Sequence, residues 1–312
     1  MMVFDSLLAL IIAALAWRCV TVRDLFQAIV TFIVLGLMLA LSWTRLDAPD
    51  LALAEAGIGA GLLGVLLLST WRVVRDAGPD QGEGPPPSPW VRTAAAVGSI
   101  ALGTAFAVVL HTVEVDSDRA GGLALESLGE AGVEQPVTAV LLNFRSYDTL
   151  LELGVLLMAL IGAVLLRSPL IHRPAAEDTG TESPLLPVLV TVFTPLVLLM
   201  GTFLVWAGAH SPGGAFQGGA VLAGAGVMLV LGGRLGGDAQ VSLLLRALLI
   251  LGVSVFTVIG LLLMPLEGAF MAYPEGLVYP LMVTIEFSLA LSIGLTLLLL
   301  FTGTNGLRGA PA

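Results

Sequence analysis

One apolar run begins with Ala48-Pro-Asp-Leu-Ala-Leu-Ala-Glu-Ala-Gly-Ile-Gly-Ala-Gly61, continues to Thr70 and places one carboxylate, Glu55, inside it. A helix rises about 1.5 Å per residue, so this run spans the roughly 30 Å hydrocarbon core of a bilayer. Glu55 then lies about 6 to 8 Å below one membrane face. An acid at that depth normally faces protein or a water-filled path, which makes Glu55 a functional candidate. The alternative is a structural glutamate that is hydrogen-bonded near the interface.

The glycines of this run are spaced for close helix packing. Gly57 and Gly61 form a G-x-x-x-G pair, which lets a neighbouring membrane helix approach closely. The segment from Gly59 to Gly64 also matches G-x-G-x-x-G. No strand precedes it, so a dinucleotide site is excluded.

The composition predicts an all-α, polytopic membrane protein. The chain has 312 residues, of which 57% are hydrophobic and 12% charged, and short polar segments separate its apolar runs. Nine spans are predicted, at 3–20, 25–43, 51–71, 91–110, 147–166, 185–206, 217–233, 243–264 and 280–301. They form a three-helix module (1–76), a two-helix module (91–171) and a four-helix module (185–312), joined by linkers at 77–90 and 172–184.

Several chemistries are excluded. All thirteen basic residues are Arg, and a chain without Lys has neither a Walker A lysine nor a Schiff-base lysine. Cys19 has no partner, and the three histidines lack metal-ligand spacing. The net charge of −10 disfavours nucleic acid. We therefore expect no enzyme activity, cofactor or metal site, and the bilayer itself as one partner.

The distribution of arginine predicts the orientation. With the N-terminus outside and the C-terminus cytoplasmic, ten of the thirteen arginines lie on the inner side. The N-terminal run from Val3 lacks a basic n-region and a clear cleavage site, so we interpret it as an anchor helix.

The outer loop from His111 to Leu142 carries six acids and one Arg. These acids form either an electrostatic funnel for cations or a solvated loop with some helix near 123–128.

A stripe of charges leads into the fifth span. Arg145, Asp148 and Glu152 follow one another at i, i+3 and i+7 on one helical face. Asp148 suits a helix N-terminus and Arg145 can pair with it, so a structural role explains Asp148. Glu152 lies one turn deeper, and coupling between the two acids suits a proton or Na⁺ relay.

The segment Gly208-Ala-His-Ser-Pro-Gly-Gly-Ala-Phe-Gln-Gly-Gly219 predicts a partly re-entrant turn, because it is nearly uncharged and runs into a Gly-rich helix. His210 either touches an ion path or bonds the turn. Residues assigned to helix packing or to this turn are Gly57, Gly61, Pro212, Gly213, Gly214, Gln217, Gly218 and Gly219.

The last span carries Glu286 about 9 Å inward from Pro280. Thr284, Ser288, Ser292 and Thr296 form a hydroxyl stripe on this span, which suits either an ion path or back-bonding and packing. In the assigned orientation Glu55, Glu152 and Glu286 all lie in the outer half of the membrane. This coincidence predicts one shared hydrophilic site.

The motifs resemble those of a known family of membrane proteins. Residues 3–71 resemble the D-type subunit of membrane-bound hydrogenases, which is also part of the extension of the large A-type subunit in Mrp-type Na⁺/H⁺ antiporters. Residues 91–167, with Phe144-Arg-Ser-Tyr-Asp-Thr-Leu-Leu-Glu152, look like the E-type subunit. Residues 185–302, with the 208–219 motif, look like the B-type subunit of the same antiporters.

The resemblance implies a subunit of a prokaryotic cytoplasmic membrane complex that exchanges Na⁺ for H⁺. It implies partner subunits, including lysine-containing pumps similar to those of respiratory complex I. The antiporter form has Thr-Gln where this chain has Ala54-Glu55 and a Glu where it has Gly59, so this chain looks more like the hydrogenase form.

We predict a non-enzymatic subunit of an Mrp-type antiporter, with Na⁺ and H⁺ as transported ions. The alternatives are the same cation module in a complex-I-like hydrogenase or other redox complex, and a scaffold whose acids only fix helix packing. The candidate ion-path residues are Glu55, Glu152, Glu286, Asp148, Asp50 and His210.

Overall fold

The computed structural model describes residues 2–76, 88–112, 117–166, 185–235 and 242–302, and all regular structure in these ranges is helical. The α-helices are α1 (Met2–Thr21), α2 (Leu25–Arg45), α3 (Pro49–Ala54), α4 (Leu63–Asp76), α5 (Pro89–Thr112), α6 (Ser117–Glu126), α7 (Pro136–Ala139), α8 (Ser146–Leu166), α9 (Leu185–Ala207), α10 (Ala215–Leu231), α11 (Leu243–Glu267) and α12 (Val278–Thr302). Two π-helical segments are π1 (Glu55–Leu62) and π2 (Val140–Phe144), and a 3₁₀ turn covers Leu128–Glu130.

The all-α, multi-pass membrane fold is confirmed. Eight stretches of the described chain are long and apolar enough to cross a membrane: α1, α2, α3 to α4 through π1, α5, α8, α9, α11 and α12. The predicted span 217–233 corresponds to α10, which has only 17 residues and is about 26 Å long. The linker 172–184, most of the linker 77–90, and His172 lie outside the described residues.

The third span changes its helical pitch at the predicted functional acid. α3 begins with Pro49 at its first turn, and the chain passes into π1 at Glu55. A π-turn bonds each N–H five residues back, and such turns are often found at functional sites. Gly36 of α2 lies against π1, because a Cβ built on it comes within 3.2 Å of the Ala60 Cβ.

The third module forms the densest part of the chain. α10 packs between α9 and α12, and α12 also packs against α11 and α8. Small residues permit this: a Cβ on Gly219 comes within 3.0 Å of the Ala290 carbonyl of α12, and one on Gly218 collides with Val205 of α9. Buried residues of α12 are the centre of the hydrophobic core.

The outer loop is only partly the solvated segment that the sequence predicts. The expected helix near 123–128 is present as the end of α6, and Glu126, Glu130 and Glu134 are exposed. The expectation is wrong for residues 131–142, where Ala131, Ala139 and Leu142 belong to the core. The apolar stretch after Pro136 folds inward as α7 and π2, because it can bury this surface against α12.

Two spans present surface that the chain itself leaves uncovered. α5 is exposed wherever its side chains are described. α8 buries Leu153 and Leu160 but exposes Leu151, Val155 and Met158 on its other face. These faces meet lipid or other proteins in the membrane.

Candidate ion-translocation site

The turn between α9 and α10 packs against residues 134–138 and is held by hydrogen bonds. The Gly214 N–H donates to the Leu204 carbonyl at 2.8 Å. The Thr138 hydroxyl donates to the Gly208 carbonyl at 2.5 Å. The Glu134 and Gln135 N–H groups both donate to the Ala209 carbonyl, at 3.0 and 3.1 Å. These bonds satisfy polar backbone groups of the turn, as irregular backbone at membrane depth would require.

Asp50 joins this turn to the first and second modules. Its Oδ1 accepts the Gly213 N–H at 2.8 Å, and its Oδ2 accepts the Gln135 side-chain amide at 2.7 Å. Its backbone carbonyl accepts the Gln217 side-chain amide at 3.2 Å. Asp50 is only 5% exposed, and its partners are the buried Gly213 N–H and two half-buried side-chain amides.

Two glycines of the turn make room for the carboxyl group of Glu286. A Cβ on Gly208 would lie 2.6 Å from the Gly214 Cα and 2.9 Å from Glu286 Oε2. A Cβ on Gly214 would lie 3.1 Å from Glu286 Oε1, and Gly214 has φ +107°, a conformation that favours glycine. Gly214 and Gly218 form a G-x-x-x-G pair in the sequence, which is typical of helix packing. A Cβ on Gly218 would collide with Val205 of α9, whereas a Cβ on Gly214 would face Glu286.

Glu286 is buried as deeply as Asp50. It is 5% exposed, and its Oε2 has no hydrogen-bond partner among the described residues. A carboxyl oxygen left unpaired in a low-dielectric interior is costly, so this carboxyl group is a candidate to bind a proton or a cation. No described group of three or more His, Cys, Asp or Glu side chains is placed to hold a metal ion.

Tyr273 lies beside π2. Its hydroxyl donates to the Leu142 carbonyl at 3.0 Å. Burial raises the pKa of this phenol above its usual range, and the nearby charge of Glu286 raises it further. Tyr273 therefore stays protonated and acts as a hydrogen-bond donor at the rim of the site.

His210 lies at the exposed surface of the turn. Its side chain is 43% exposed, and its Nδ1 is 3.6 Å from Glu134 Oε2. The ring packs against Tyr279 at 5.4 Å, and its backbone N–H bonds the Ala207 carbonyl. The imidazole of His210 thus contacts Glu134 and Tyr279, while its backbone N–H bonds within the turn.

Glu55 lies half-buried at the start of π1. Its carboxyl group folds back over the next turn, where a Cβ on Gly59 would come within 2.5 Å of Oε1. Gly57 faces the third module, since its Cβ would lie 3.7 Å from the Ala220 side chain of α10. A Cβ on Gly61 would meet the Ala56 carbonyl, five residues earlier, at 3.1 Å. Gly59 therefore leaves space for the acid, and Gly57 for the neighbouring helix.

The charged stripe of α8 lies on an exposed face. Arg145 and Asp148 form the predicted ion pair at 2.6 Å, with both side chains exposed. Glu152 is also exposed in this chain, whereas Glu286 is enclosed on α12. The structure therefore brings Asp50 and the 208–217 turn to Glu286, while Glu152 faces away from protein.

The hydroxyl stripe of α12 serves the helix and its packing. Thr284, Ser288 and Thr296 each donate to a carbonyl of their own helix at 2.7 to 2.8 Å. Ser292 donates to the Leu249 carbonyl of α11. These bonds are those expected if the hydroxyl groups serve only back-bonding and helix packing.

The sequence interpretation missed Gln135, Thr138 and Tyr273. Gln135 and Thr138 flank Pro136, which starts the short inward helix α7. A proline followed by the apolar stretch Val137–Leu142 was an available signal for a segment that returns to the core. No local pattern points to Tyr273, because its contact with Leu142 joins residues 131 positions apart.

Family models match both ends of the chain. One, described as the D-type subunit of MBH (MbhD), matches residues 10–76, and one described as "Domain related to MnhB subunit of Na+/H+ antiporter" matches residues 185–305. The chain joins an MbhD-type domain to an MnhB-type domain. This confirms the resemblance predicted for the two ends. The module boundaries and the E-type assignment of residues 91–171 stay predictions.

Two solved membrane complexes contain chains of similar fold. A chain of the Mrp complex from Dietzia sp. DQ12-45-1b superposes with a TM-score of 0.76 at 21% identity, over 98% of this MbhD/MnhB-type chain and 35% of that chain. A chain of the membrane-bound sulfane sulfur reductase, an archaeal respiratory membrane complex, superposes with a TM-score of 0.54 at 23% identity. The match covers 68% of this chain and 96% of that chain. At these identities the likeness shows the fold alone.

One curated protein is related to part of the chain. "Uncharacterized protein MJ1307" of Methanocaldococcus jannaschii is 31% identical over 111 residues, which cover 30% of this chain and 42% of that protein. The chain thus spans less than half of this relative.

Proposed function

We propose that this chain is a non-enzymatic membrane subunit of a multisubunit Mrp-type antiporter that exchanges Na⁺ for H⁺, and that it contributes intramembrane carboxylates to the ion path. The observation that carries the proposal is Glu286, a buried carboxyl group with one unpaired oxygen, enclosed by the glycine turn 208–214. An ionisable group inside a membrane protein that lacks a fixed partner suits the binding and release of an ion. The match of residues 185–305 to an antiporter-related domain supports this class of complex.

The proposed path extends from this centre to Glu55, His210, Asp148 and Glu152. Glu55 is half-buried on π1, which contacts α10, and it lies on the same span as Asp50. His210 and Glu134 lie at the exposed end of the turn, where an ion enters or leaves. Asp148 and Glu152 lie on the exposed face of α8 and join the path only beside another protein of the complex.

The proposal includes the setting of the chain. The arginine bias supports an N-terminus outside and a C-terminus in the cytoplasm, and the resemblance supports a prokaryotic cytoplasmic membrane. The exposed membrane faces of α5 and α8 support partner subunits, among them the lysine-containing pump subunits that the resemblance implies.

A second candidate is the cation module of a redox-driven membrane complex. The match of residues 10–76 to the MbhD model and the fold shared with a chain of the sulfane sulfur reductase complex favour it. In that case electron transfer by other subunits drives ion movement along the same path.

Vesicle transport distinguishes the two candidates. Inverted vesicles that carry the complete complex receive a respiratory proton gradient, and Na⁺ is then added. The antiporter predicts that Na⁺ collapses the gradient without a dedicated electron donor, and that Glu55→Gln abolishes the response. The matched control Glu126→Gln, at an exposed site on α6, keeps it. A response that requires reduced ferredoxin or hydrogen supports the redox complex and contradicts the stand-alone antiporter.

A further inference from the structure

Asp50 is the residue at which all three predicted modules meet. It belongs to α3, its Oδ2 binds Gln135 of the second module, and its Oδ1 binds the Gly213 N–H of the third. The Gln217 amide adds a bond to the Asp50 carbonyl. Three donor groups from two other modules are therefore held by one buried residue.

We propose that Asp50 is a positioning residue, a clamp that fixes the 208–214 turn against Glu286 and couples the first module to this site. The inference rests on the proposed function of Glu286. Adjacent residues make the two contacts: the Gly213 N–H donates to Asp50, and Gly214 faces the Glu286 carboxyl group. A shift of α3 that pulls Gly213 therefore also moves the wall of the Glu286 site.

The hydrogen bonds of Asp50 favour a clamp over an ion ligand. Each carboxylate oxygen already accepts one bond, at 2.8 and 2.7 Å, from a donor that is buried or half-buried. An ion that took these oxygens would leave the Gly213 N–H and the Gln135 amide without acceptors, which is unfavourable in the interior. Glu286 Oε2, in contrast, has no such bond to give up among the described contacts.

The two roles differ in their need for charge. Asparagine in place of Asp50 keeps an oxygen for the Gly213 N–H, and its amide pairs with Gln135 once the Gln135 side-chain amide has rotated. A clamp therefore tolerates asparagine, whereas an ion ligand requires the carboxylate. Leucine removes both side-chain bonds.

The experiment compares Asp50→Asn, Asp50→Leu and the matched control Asp47→Asn in the purified complete complex. Asp47 is exposed, three residues before Asp50. Backbone hydrogen exchange of peptides that cover 208–217 reports on the turn, and Na⁺-driven proton exchange in vesicles reports on transport. We expect wild-type protection of the turn from Asp50→Asn, and wild-type protection and transport from Asp47→Asn. We expect at least about tenfold faster hydrogen exchange in the turn and about tenfold slower transport from Asp50→Leu.

Two results overturn the clamp. One is transport lost in Asp50→Asn while the turn stays protected, which makes Asp50 an ion ligand. The other is a turn in Asp50→Leu that is as protected as in the wild type. If Asp50→Leu does not assemble, Gln135→Leu removes one bond: faster exchange in the 208–217 peptides supports the clamp, and unchanged exchange contradicts it.

The clamp and the proposed function fail separately. Transport that is insensitive to Glu286→Gln contradicts the proposed ion path, while hydrogen exchange in the turn still tests the clamp. A protected turn in Asp50→Leu contradicts the clamp and leaves the role of Glu286 unaffected.

Discussion

Glu286 and Glu152 were predicted to share one site, but they lie in opposite environments. Glu286 is enclosed by its own chain, with the turn 208–214 against its carboxyl group. Glu152 lies on the exposed face of α8, beyond the surface pair Arg145–Asp148. Both helices enter the membrane from the same side in the predicted topology. The side on which each helix is packed, and not the depth of the acid, separates them.

The difference shows two ways of accommodating an acid in a membrane. Around Glu286 the chain provides backbone at close range, which only glycine at positions 208 and 214 permits. Glu152 is instead exposed on α8, and an ionised group in contact with lipid at mid-helix costs roughly 2.5 to 3.5 kcal/mol. We therefore expect a neighbouring protein to cover Glu152 in the assembled complex.

The largest effect on stability and transport is expected from Gly208→Ala, which adds a methyl group to the enclosed region around Glu286. The new methyl group would lie 2.6 Å from the Gly214 Cα and 2.9 Å from Glu286 Oε2. Overpacking of this kind costs roughly 1 to 3 kcal/mol, so the thermal midpoint of the purified complex falls and Na⁺-driven proton exchange is lost.

Gly224→Ala is the matched control for that variant. Gly224 lies in α10, and a Cβ there has no atom within 4 Å. Because alanine favours a helix interior by about 1 kcal/mol, stability stays equal or rises and exchange is retained. Equal loss in both variants would show that the turn has no special role.

An intermediate effect is expected from Glu152→Gln. The expected loss of exchange is about three- to tenfold, or roughly 0.7 to 1.4 kcal/mol in the barrier, provided that a partner protein uses this acid. The change is measured in vesicles, and co-purification of the other subunits reports assembly. Normal exchange with normal assembly would mean that Glu152 belongs to no path.

The smallest effect is expected from Arg145→Gln. The Arg145–Asp148 pair is short, at 2.6 Å, but both side chains are exposed. Exposed pairs contribute about 0.2 to 1 kcal/mol, and salt screens them. Thermal unfolding at low and high salt should differ between wild type and variant only at low salt. A large loss at high salt would show that another protein of the complex buries this pair.

The membrane fold was predictable because hydrophobic runs set it. The observed helices α2, α8 and α9 begin within one residue of the predicted spans. The sequence did not predict π1, because the apolar composition of Glu55–Leu62 suits an α-helix as well as a π-helix. The pitch depends on packing against α2 and α10, which only the folded chain provides.

The site was predictable in its residue types more than in its pairings. Glu286 and the glycine turn stood out because an acid and uncharged irregular backbone are unusual at membrane depth. The contact of this turn with Asp50 joins positions 163 residues apart, which no local spacing reveals. The same limit explains Glu152: periodicity gives the face of α8 on which it lies, but not what that face meets.

Glu286 is the acid on which the proposed ion path depends, and transport by Glu286→Gln tests its role. Inverted vesicles with the complete complex are compared for wild type, Glu286→Gln and the control Glu267→Gln, which changes an exposed acid at the end of α11. We predict that Glu286→Gln assembles normally but loses Na⁺-driven proton exchange by about tenfold or more, while Glu267→Gln keeps it. Exchange at the wild-type rate in Glu286→Gln would contradict the proposed path.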